Sequence, residues 1–163
     1  MKVRILTLCV VLGVIGGTGV SVAAAHRETP KGALVALRKT ALGAILVDGR
    51  GRTLYLFEKD RNGSSACDSA CAKFWPPLTS QATPRAGKGV QQSMLRLARR
   101  HNGLRQVTYA GHPLYTFVGD KSSGQTTGEG LNKFGADWYV LAATGQKVEP
   151  RQAGGGGYAT PSR

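Results

Sequence analysis

Short apolar runs separated by glycine-containing turns recur along the chain, and this pattern predicts β-strands rather than long helices. In the first half, residues 34–37 and 45–47 are apolar, and residues 53–57 follow a polar turn at 48–51. Glycine permits the positive φ that tight loops need. We therefore predict a hairpin formed by residues 45–47 and 53–57.

The second half repeats this arrangement. Residues 106–109 and 114–117 flank a glycine-containing turn at 110–113, and Asn102-Gly103 is a further hairpin signal that joins an earlier strand to residue 106. Residues 90–101 also place apolar side chains at helical spacing, which would fit an amphipathic helix. The repeat described next favours a strand for residues 94–97.

An offset of sixty positions aligns the two halves without a gap. Ten identities result between residues 34–78 and 94–138, and they include the less common aromatic types, so duplication is the economical explanation. The aligned pairs are Leu37/Leu97, Gly43/Gly103, Val47/Val107, Gly51/Gly111, Leu54/Leu114, Tyr55/Tyr115, Phe57/Phe117, Asp60/Asp120, Lys73/Lys133 and Phe74/Phe134.

The expected fold class is mainly β, with two tandem hairpin-based repeats packed into one small domain. A short helical or irregular segment is expected around Cys67 and Cys71. The predicted divisions are a signal peptide (1–25), a flexible lead-in (26–33), repeat 1 (34–78), a linker (79–93), repeat 2 (94–141) and a disordered glycine-rich tail (142–163).

The N-terminal segment has the layout of a signal peptide. Lys2 and Arg4 precede an uncharged stretch that ends in small residues, and we predict cleavage after Ala25. The mature protein would then be periplasmic or extracellular and would have no transmembrane helix. The alternative is an uncleaved N-terminal membrane anchor, although six glycine, serine and threonine residues weaken that stretch as a spanning helix.

The mature chain is strongly basic. The sequence has 22 lysine and arginine residues and 9 acidic ones, and only Lys2 and Arg4 lie in the leader, so the remainder carries a charge of +11. Such an excess favours anionic partners, namely an envelope polymer, a lipid head group or a small ligand, without specific recognition of nucleic acid. Solubility, or adaptation to an acidic medium, is the alternative explanation. The candidate basic surface comprises Arg96, Arg99, Arg100, Arg105 and His112.

Two motifs carry a family resemblance. Tyr55 to Asp60 and Tyr115 to Asp120 resemble the Tyr-x-(Phe/Trp/Tyr)-x-x-Asp motif of a bacterial family of secreted or lipoprotein repeats, and Cys67 to Leu78 resembles its Cys-x-x-x-Cys-Ala segment ending in Trp-Pro-Pro-Leu. The resemblance implies export and a repeat scaffold, and it supplies no catalytic residues. Many members are lipid-anchored, whereas this chain lacks a usable lipidation site.

Cys67 and Cys71 are the two cysteines left once the leader is removed. Export to an oxidising compartment makes a disulfide between them the expected state. Its short loop predicts a local role, holding residues 74–75 against the hairpin. Catalytic redox chemistry is the rival interpretation, although the spacing differs from that of thioredoxin-like sites.

The aromatic motif has two interpretations. Tyr55 and Phe57 lie on one strand face while leucines lie on the other, and Tyr115 and Phe117 follow the same rule, which predicts strands buried on both faces. Asp60 and Asp120 would then accept hydrogen bonds from turn amides. An aromatic-lined binding cleft is the alternative.

No motif indicates an enzyme, a cofactor or an assembled metal site. A new N-terminus at His26 would have one specific property, because its amine and imidazole could chelate Cu(II) together. The sequence therefore favours a non-enzymatic envelope module that binds an anionic ligand or surface. The alternatives are a redox or metal-handling accessory protein and a structural surface protein.

Overall fold

A computed structural model describes residues 32–148, which form short strands and one short helix. The leader, His26 and the residues after 148 lie outside the described part of the chain. The elements are β1 (Leu34–Thr40), β2 (Gly43–Asp48), β3 (Tyr55–Phe57), α1 (Ser69–Phe74), β4 (Arg85–Ala86), a 3₁₀ turn (Gln92–Met94), β5 (Leu95–Arg99), β6 (Arg105–Tyr109), β7 (His112–Pro113), β8 (Leu131–Lys133) and β9 (Ala136–Val140).

The strands form three small sheets with the orders β2-β1-β4, β3-β9-β8 and β5-β6-β7. All pairs are antiparallel except β1 with β4. The β1–β2 hairpin of the first repeat and the β5–β6 hairpin of the second are equivalent by the sixty-residue offset. The mainly β fold with two hairpin-based repeats is therefore confirmed.

The hairpin turns follow from local sequence. Gly43 after the first turn and Gly103 in the second adopt φ of 99° and 82°, as such turns require. Leu95–Arg99 is a strand paired with β6, and the helical periodicity of residues 90–101 yields only the 3₁₀ turn Gln92–Met94. The strand interpretation taken from the repeat is correct because the β5–β6 ladder satisfies the backbone groups along this segment.

The motif-bearing segments pair across the repeats. Beyond the turn at 48–51, the Leu54 amide donates to the Leu46 carbonyl (3.0 Å), so the predicted pairing of residues 45–47 with 53–57 begins. It does not continue, because β3 pairs with β9 of the second repeat instead. In the second repeat, the segment around Tyr115 makes hydrogen bonds to residues 74–78 of the first. Each motif thus lies beside the tryptophan-bearing segment of the other copy.

The core consists of two clusters separated by β3. Tyr55 and Phe57 contribute to one cluster and Leu54 and Leu56 to the other, and all four are buried. Burial on both faces explains why this strand is continuously apolar. The sequence prediction for this strand is confirmed.

Three local differences from the sequence expectations have physical reasons. The predicted linker contains β4, which pairs with β1. The amides of Arg85 and Gly87 donate to the carbonyls of Ala33 and Val35. Residues 114–117 form no continuous strand and only two isolated bridges, from Tyr115 to Tyr55 and to Pro77, because the segment of the first repeat beside them contains prolines that cannot donate. Residues 142–148, predicted as the start of a disordered tail, form a turn in which Val148 donates to the Val140 carbonyl (2.9 Å).

Candidate functional site

The tyrosine and aspartate of the two motifs pair with each other between repeats. Tyr55 Oη donates to Asp120 Oδ2 (2.7 Å), and Tyr115 Oη donates to Asp60 Oδ2 (2.8 Å). Tyr55 and Tyr115 also exchange two backbone hydrogen bonds, of 2.8 and 3.0 Å. The motif therefore works as a reciprocal clasp between the copies, in which each repeat supplies one donor and one acceptor.

Each aspartate also fixes its own loop. Asp60 Oδ1 accepts the amide of Ala66 (2.7 Å), and Asp120 Oδ1 accepts the amide (2.9 Å) and hydroxyl (2.6 Å) of Thr127. The expected bonds to loop amides are thus present beside the tyrosine bonds. Burial raises the pKa of Asp60 to about 6, even though the Ala66 amide and the Tyr115 hydroxyl favour its charged form.

The tyrosine hydroxyls keep their protons over any biological pH. Burial, followed by the hydrogen bond and the charge of Asp120, raises the pKa of Tyr55 above its usual value. Burial and the charge of Asp60 do the same for the pKa of Tyr115. Both side chains therefore act as donors to carboxylates, which is a structural role.

Four aromatic rings stack through the centre of the protein. Trp75 and Trp138 are parallel, with ring centroids 3.9 Å apart, and Phe57 stacks on Trp138 (4.1 Å) while Phe117 stacks on Trp75 (4.3 Å). Tyr55 meets Trp75 edge-on, and Tyr115 meets Trp138 in the same way. Such pairs contribute about 0.5–1.5 kcal/mol each beyond their burial, so this stack joins the repeats firmly.

The disulfide lies at the start of the helix of the first repeat. Cys67 and Cys71 are bonded and buried, with their Cα atoms 5.2 Å apart. The Trp75 amide donates to the Cys71 carbonyl (2.8 Å), so the crosslinked turn leads directly into the tryptophan of the stack. This contact agrees with the local role expected for the disulfide.

Arg100 contacts the disulfide loop and does not lie on an exposed basic surface. Its side chain is only 3 % exposed and forms an ion pair with Asp68 (2.7 Å), and its other nitrogen contacts Ser65 Oγ (2.8 Å). It also donates to the Cys67 carbonyl and to Gln106. The expectation that Arg100 lies on a ligand-binding surface is corrected, because these acceptors draw the guanidinium inward.

The remaining predicted basic residues do not form one surface. Arg99 and Arg105 lie directly opposite each other in the β5–β6 ladder, both exposed. Arg96 is exposed too, but it stands an odd number of positions from Arg99 and so projects from the other face of β5. The structure therefore brings together Arg99 and Arg105 from the predicted set.

His112 lies in a polar cleft beside the first motif. The cleft has a volume of about 490 Å³, and Glu58, Asp60, Arg61 and Lys147 line it with His112. Glu58 and Lys147 form an ion pair there (2.9 Å). Burial lowers the pKa of His112, so its imidazole is neutral at neutral pH.

A second cleft is lined by aromatic side chains and was hard to predict from sequence. Phe74, Trp75, Phe117, Leu131, Lys133 and Phe134 line a volume of about 360 Å³. The rings of Phe74 and Phe134 lie 5.9 Å apart at its rim. The available signal was the aligned pair Phe74/Phe134, whose members the fold brings together. Among the motif aromatics, Phe117 lines this cleft.

Neither a metal centre nor a membrane span is found in the described part of the chain. Residues 32–148 contain no group of three or more histidine, cysteine, aspartate and glutamate side chains placed to hold an ion. The helix found among these residues is too short to cross a bilayer.

Comparison with known proteins identifies the repeats. The model of a family described as a secreted repeat of unknown function matches residues 36–79 and again residues 96–142. No curated protein and no solved structure matches the chain. Each matched segment contains one motif, one of the two equivalent hairpins (β1–β2 or β5–β6) and one tryptophan of the central stack.

Proposed function

The chain belongs to this family of secreted repeats, and from that premise we propose that it is a non-enzymatic binding module that holds an anionic envelope polymer on the β5–β6 hairpin. The observation that carries the proposal is the pair Arg99 and Arg105. Their Cα atoms are directly opposed in the ladder, both side chains are exposed, and neither forms an ion pair with a described carboxylate.

Two like charges directly opposite each other destabilise an antiparallel pair. A bound anion removes that repulsion, and two guanidinium groups at neighbouring positions can each hold phosphate or carboxylate oxygens in bidentate fashion. Arg99 and Arg105 therefore form a natural site for a polyanion, with the repulsion relieved on binding.

The charge balance supports the same proposal. Three ion pairs occur among residues 32–148, and they involve Arg52, Arg100 and Lys147. Most other lysine and arginine residues in the described part of the chain are exposed, so they add a long-range attraction for polyanions without defining a specific pocket.

The disulfide supports a structural role over thiol exchange. Cys67 is 0 % exposed and Cys71 is 6 % exposed. Thiol exchange requires an attacking thiolate to reach one of the sulfurs. The bond from the Ala66 amide to Asp60 and the bond from Arg100 to the Cys67 carbonyl hold residues 66–67 in place beside the buried disulfide.

The test is retention on immobilised polyphosphate, compared between two double variants of equal charge. R99Q/R105Q removes the opposed pair, and R50Q/K88Q removes two exposed cations elsewhere as the matched control. The wild-type affinity should fall steeply with salt, and R99Q/R105Q should reduce the slope of log affinity against log salt by about 1–2.

The control should bind nearly as tightly as wild type. Equal losses in both double variants would mean that net charge alone drives retention, and a salt-independent affinity would reject the anion-binding proposal. Parallel measurements on liposomes with acidic head groups distinguish a lipid surface from a polymer.

A further inference from the structure

Exposed apolar side chains concentrate around the aromatic cleft. The described residues have four large hydrophobic side chains that are strongly exposed, and Phe74 (54 %), Phe134 (39 %) and Val118 (39 %) are three of them. Phe74 and Phe134 form the rim, and the Val118 amide donates to the Phe74 carbonyl (3.0 Å), which places Val118 beside it. A contiguous patch of this kind marks a binding site more often than isolated exposed residues do.

Phe134 occupies a backbone conformation that disfavours it. The β8–β9 hairpin turns at Phe134-Gly135, with φ of 60° and 91°. Asparagine or glycine is preferred at the first of these positions, and a bulky side chain with positive φ is an outlier. A strained aromatic residue at the rim of a cleft is the kind of outlier from which a binding role is inferred.

The polar backbone atoms around the cleft already have partners. The carbonyls of Phe74, Lys133 and Phe134 accept hydrogen bonds from the Val118 amide (3.0 Å), Trp138 Nε1 (3.2 Å) and Lys59 Nζ (3.4 Å). The cleft therefore presents aromatic and aliphatic surface, and its one charged lining residue is Lys133. A ligand for this site must be apolar along its length, with its polar part confined to one end.

We propose that the aromatic cleft binds a single acyl chain that carries an anionic head group. The acyl chain packs against the rings of Phe74 and Phe134 and over Trp75, and the head group pairs with the Lys133 ammonium. The volume of about 360 Å³ lies in the range of small-molecule sites. This site is built by α1 and the β8–β9 turn, so it is separate from Arg99 and Arg105 on the β5–β6 hairpin.

The decisive variant is Phe134→Asn, because it removes an aromatic wall while installing the residue that the turn prefers. Ala110→Asn is the matched control, since Ala110 (φ 49°) precedes Gly111 (φ 86°) in the equivalent position of the β6–β7 turn. Both substitutions introduce the same residue at the same kind of position, and only one lies at the cleft. Thermal unfolding verifies that each variant is folded.

The measurement is calorimetric titration of the full chain with monomeric dodecanoate. Wild type and A110N should bind one equivalent, and F134N should weaken the affinity at least about tenfold while unfolding at the same or a higher temperature. Lys133→Gln should weaken dodecanoate binding and abolish its advantage over dodecyltrimethylammonium, the cationic counterpart.

Three outcomes would overturn the proposal. Undiminished dodecanoate binding by F134N would place the ligand elsewhere. Binding of naphthalenesulfonate but not of dodecanoate would assign the cleft to planar aromatic anions. Binding to bilayer vesicles without binding to monomeric dodecanoate would make the rim a membrane contact and not a ligand site.

Discussion

The two repeats deliver their tryptophans to the same central stack by different supports. In the first repeat, Trp75 follows the helix α1, which is closed by the disulfide and by Arg100. In the second, Trp138 lies in β9 of a hairpin, 63 positions after Trp75 and hence three more than the repeat offset. The stacked contact is shared while the supports differ, which indicates that the interface between repeats constrains the fold more than either loop does.

The loops below the two aspartates differ in the same way. The Asp60 loop is held by a covalent bond and a buried guanidinium, whereas the Asp120 loop is held by the Thr127 hydroxyl and by close packing of Gly128. A Cβ at Gly128 would lie 2.7 Å from the Trp75 ring and 3.0 Å from Tyr55. The disulfide therefore stabilises the loop of the first copy, whereas a glycine and a hydrogen bond stabilise the loop of the second.

The largest expected effect comes from the shared stack. Trp138→Ala removes the ring that contacts Phe57, Trp75 and Tyr115, and we expect a loss of about 3–5 kcal/mol in the free energy of unfolding. Chemical denaturation followed by far-ultraviolet circular dichroism measures it. A loss below about 1 kcal/mol would show that each repeat is stable without the common contact.

The second-largest expected loss of stability comes from the tyrosine–aspartate clasp between the repeats. Tyr55→Phe removes the bond to Asp120 and leaves the buried Gly128 amide without its hydroxyl partner (3.3 Å), so we expect a loss of about 2–3 kcal/mol in unfolding free energy. Tyr115→Phe is the equivalent change in the other copy. A large difference between the two variants would show that the clasp is unequal.

Loss of the disulfide should affect mainly the first repeat. Replacing Cys67 and Cys71 by serine opens a loop of only five residues, for which chain entropy predicts a loss of about 2 kcal/mol. Hydrogen exchange should accelerate in residues 65–75 and remain slow in β8 and β9. Faster exchange spread evenly over both repeats would contradict the local role of the crosslink.

The smallest expected effect is a pH dependence of stability that arises from Asp60. The folded pKa of Asp60 is about 6, above its unfolded value, so its contribution to stability is complete below the unfolded pKa and is lost as the pH rises through about 6. We expect the difference in unfolding free energy between wild type and Asp60→Asn to change by about 1 kcal/mol between about pH 5 and pH 7, after allowance for solvent screening.

Taking this difference removes the contribution of His112, whose lowered pKa acts in the opposite direction over the same pH range. A flat difference for Asp60→Asn would reject the assignment of the pKa near 6 to this carboxyl.

Local pattern and repetition predicted much of the scaffold. The β-strand character of β1, β2, β5 and β6 follows from apolar runs and turn residues, and the burial of β3 on both faces follows from its continuous apolar sequence. The sixty-residue offset correctly decided between strand and helix for residues 95–99. These features depend on local sequence or on comparison of the two copies, so they can be predicted without knowledge of the contacts between the copies.

Contacts between the copies were not predictable in this way. Alternation indicates that Tyr55 is buried, but it does not distinguish Asp60, five residues away, from Asp120 as the partner of its hydroxyl. Likewise, Arg99 and Arg100 are adjacent cations in the sequence, and only the position of the disulfide loop decides that Arg100 is buried. The aromatic cleft depends on the same long-range arrangement, because α1 and the β8–β9 turn meet there.

The reciprocal clasp has an evolutionary consequence. An isolated repeat would carry one tyrosine donor and one aspartate acceptor, and the structure pairs such a tyrosine with such an aspartate only between copies. A single-repeat ancestor would therefore satisfy both groups as a two-fold symmetric homodimer, in which the same patch of each subunit contacts the other. The present chain has the contacts of such a dimer within one polypeptide, and its two halves differ in their loops.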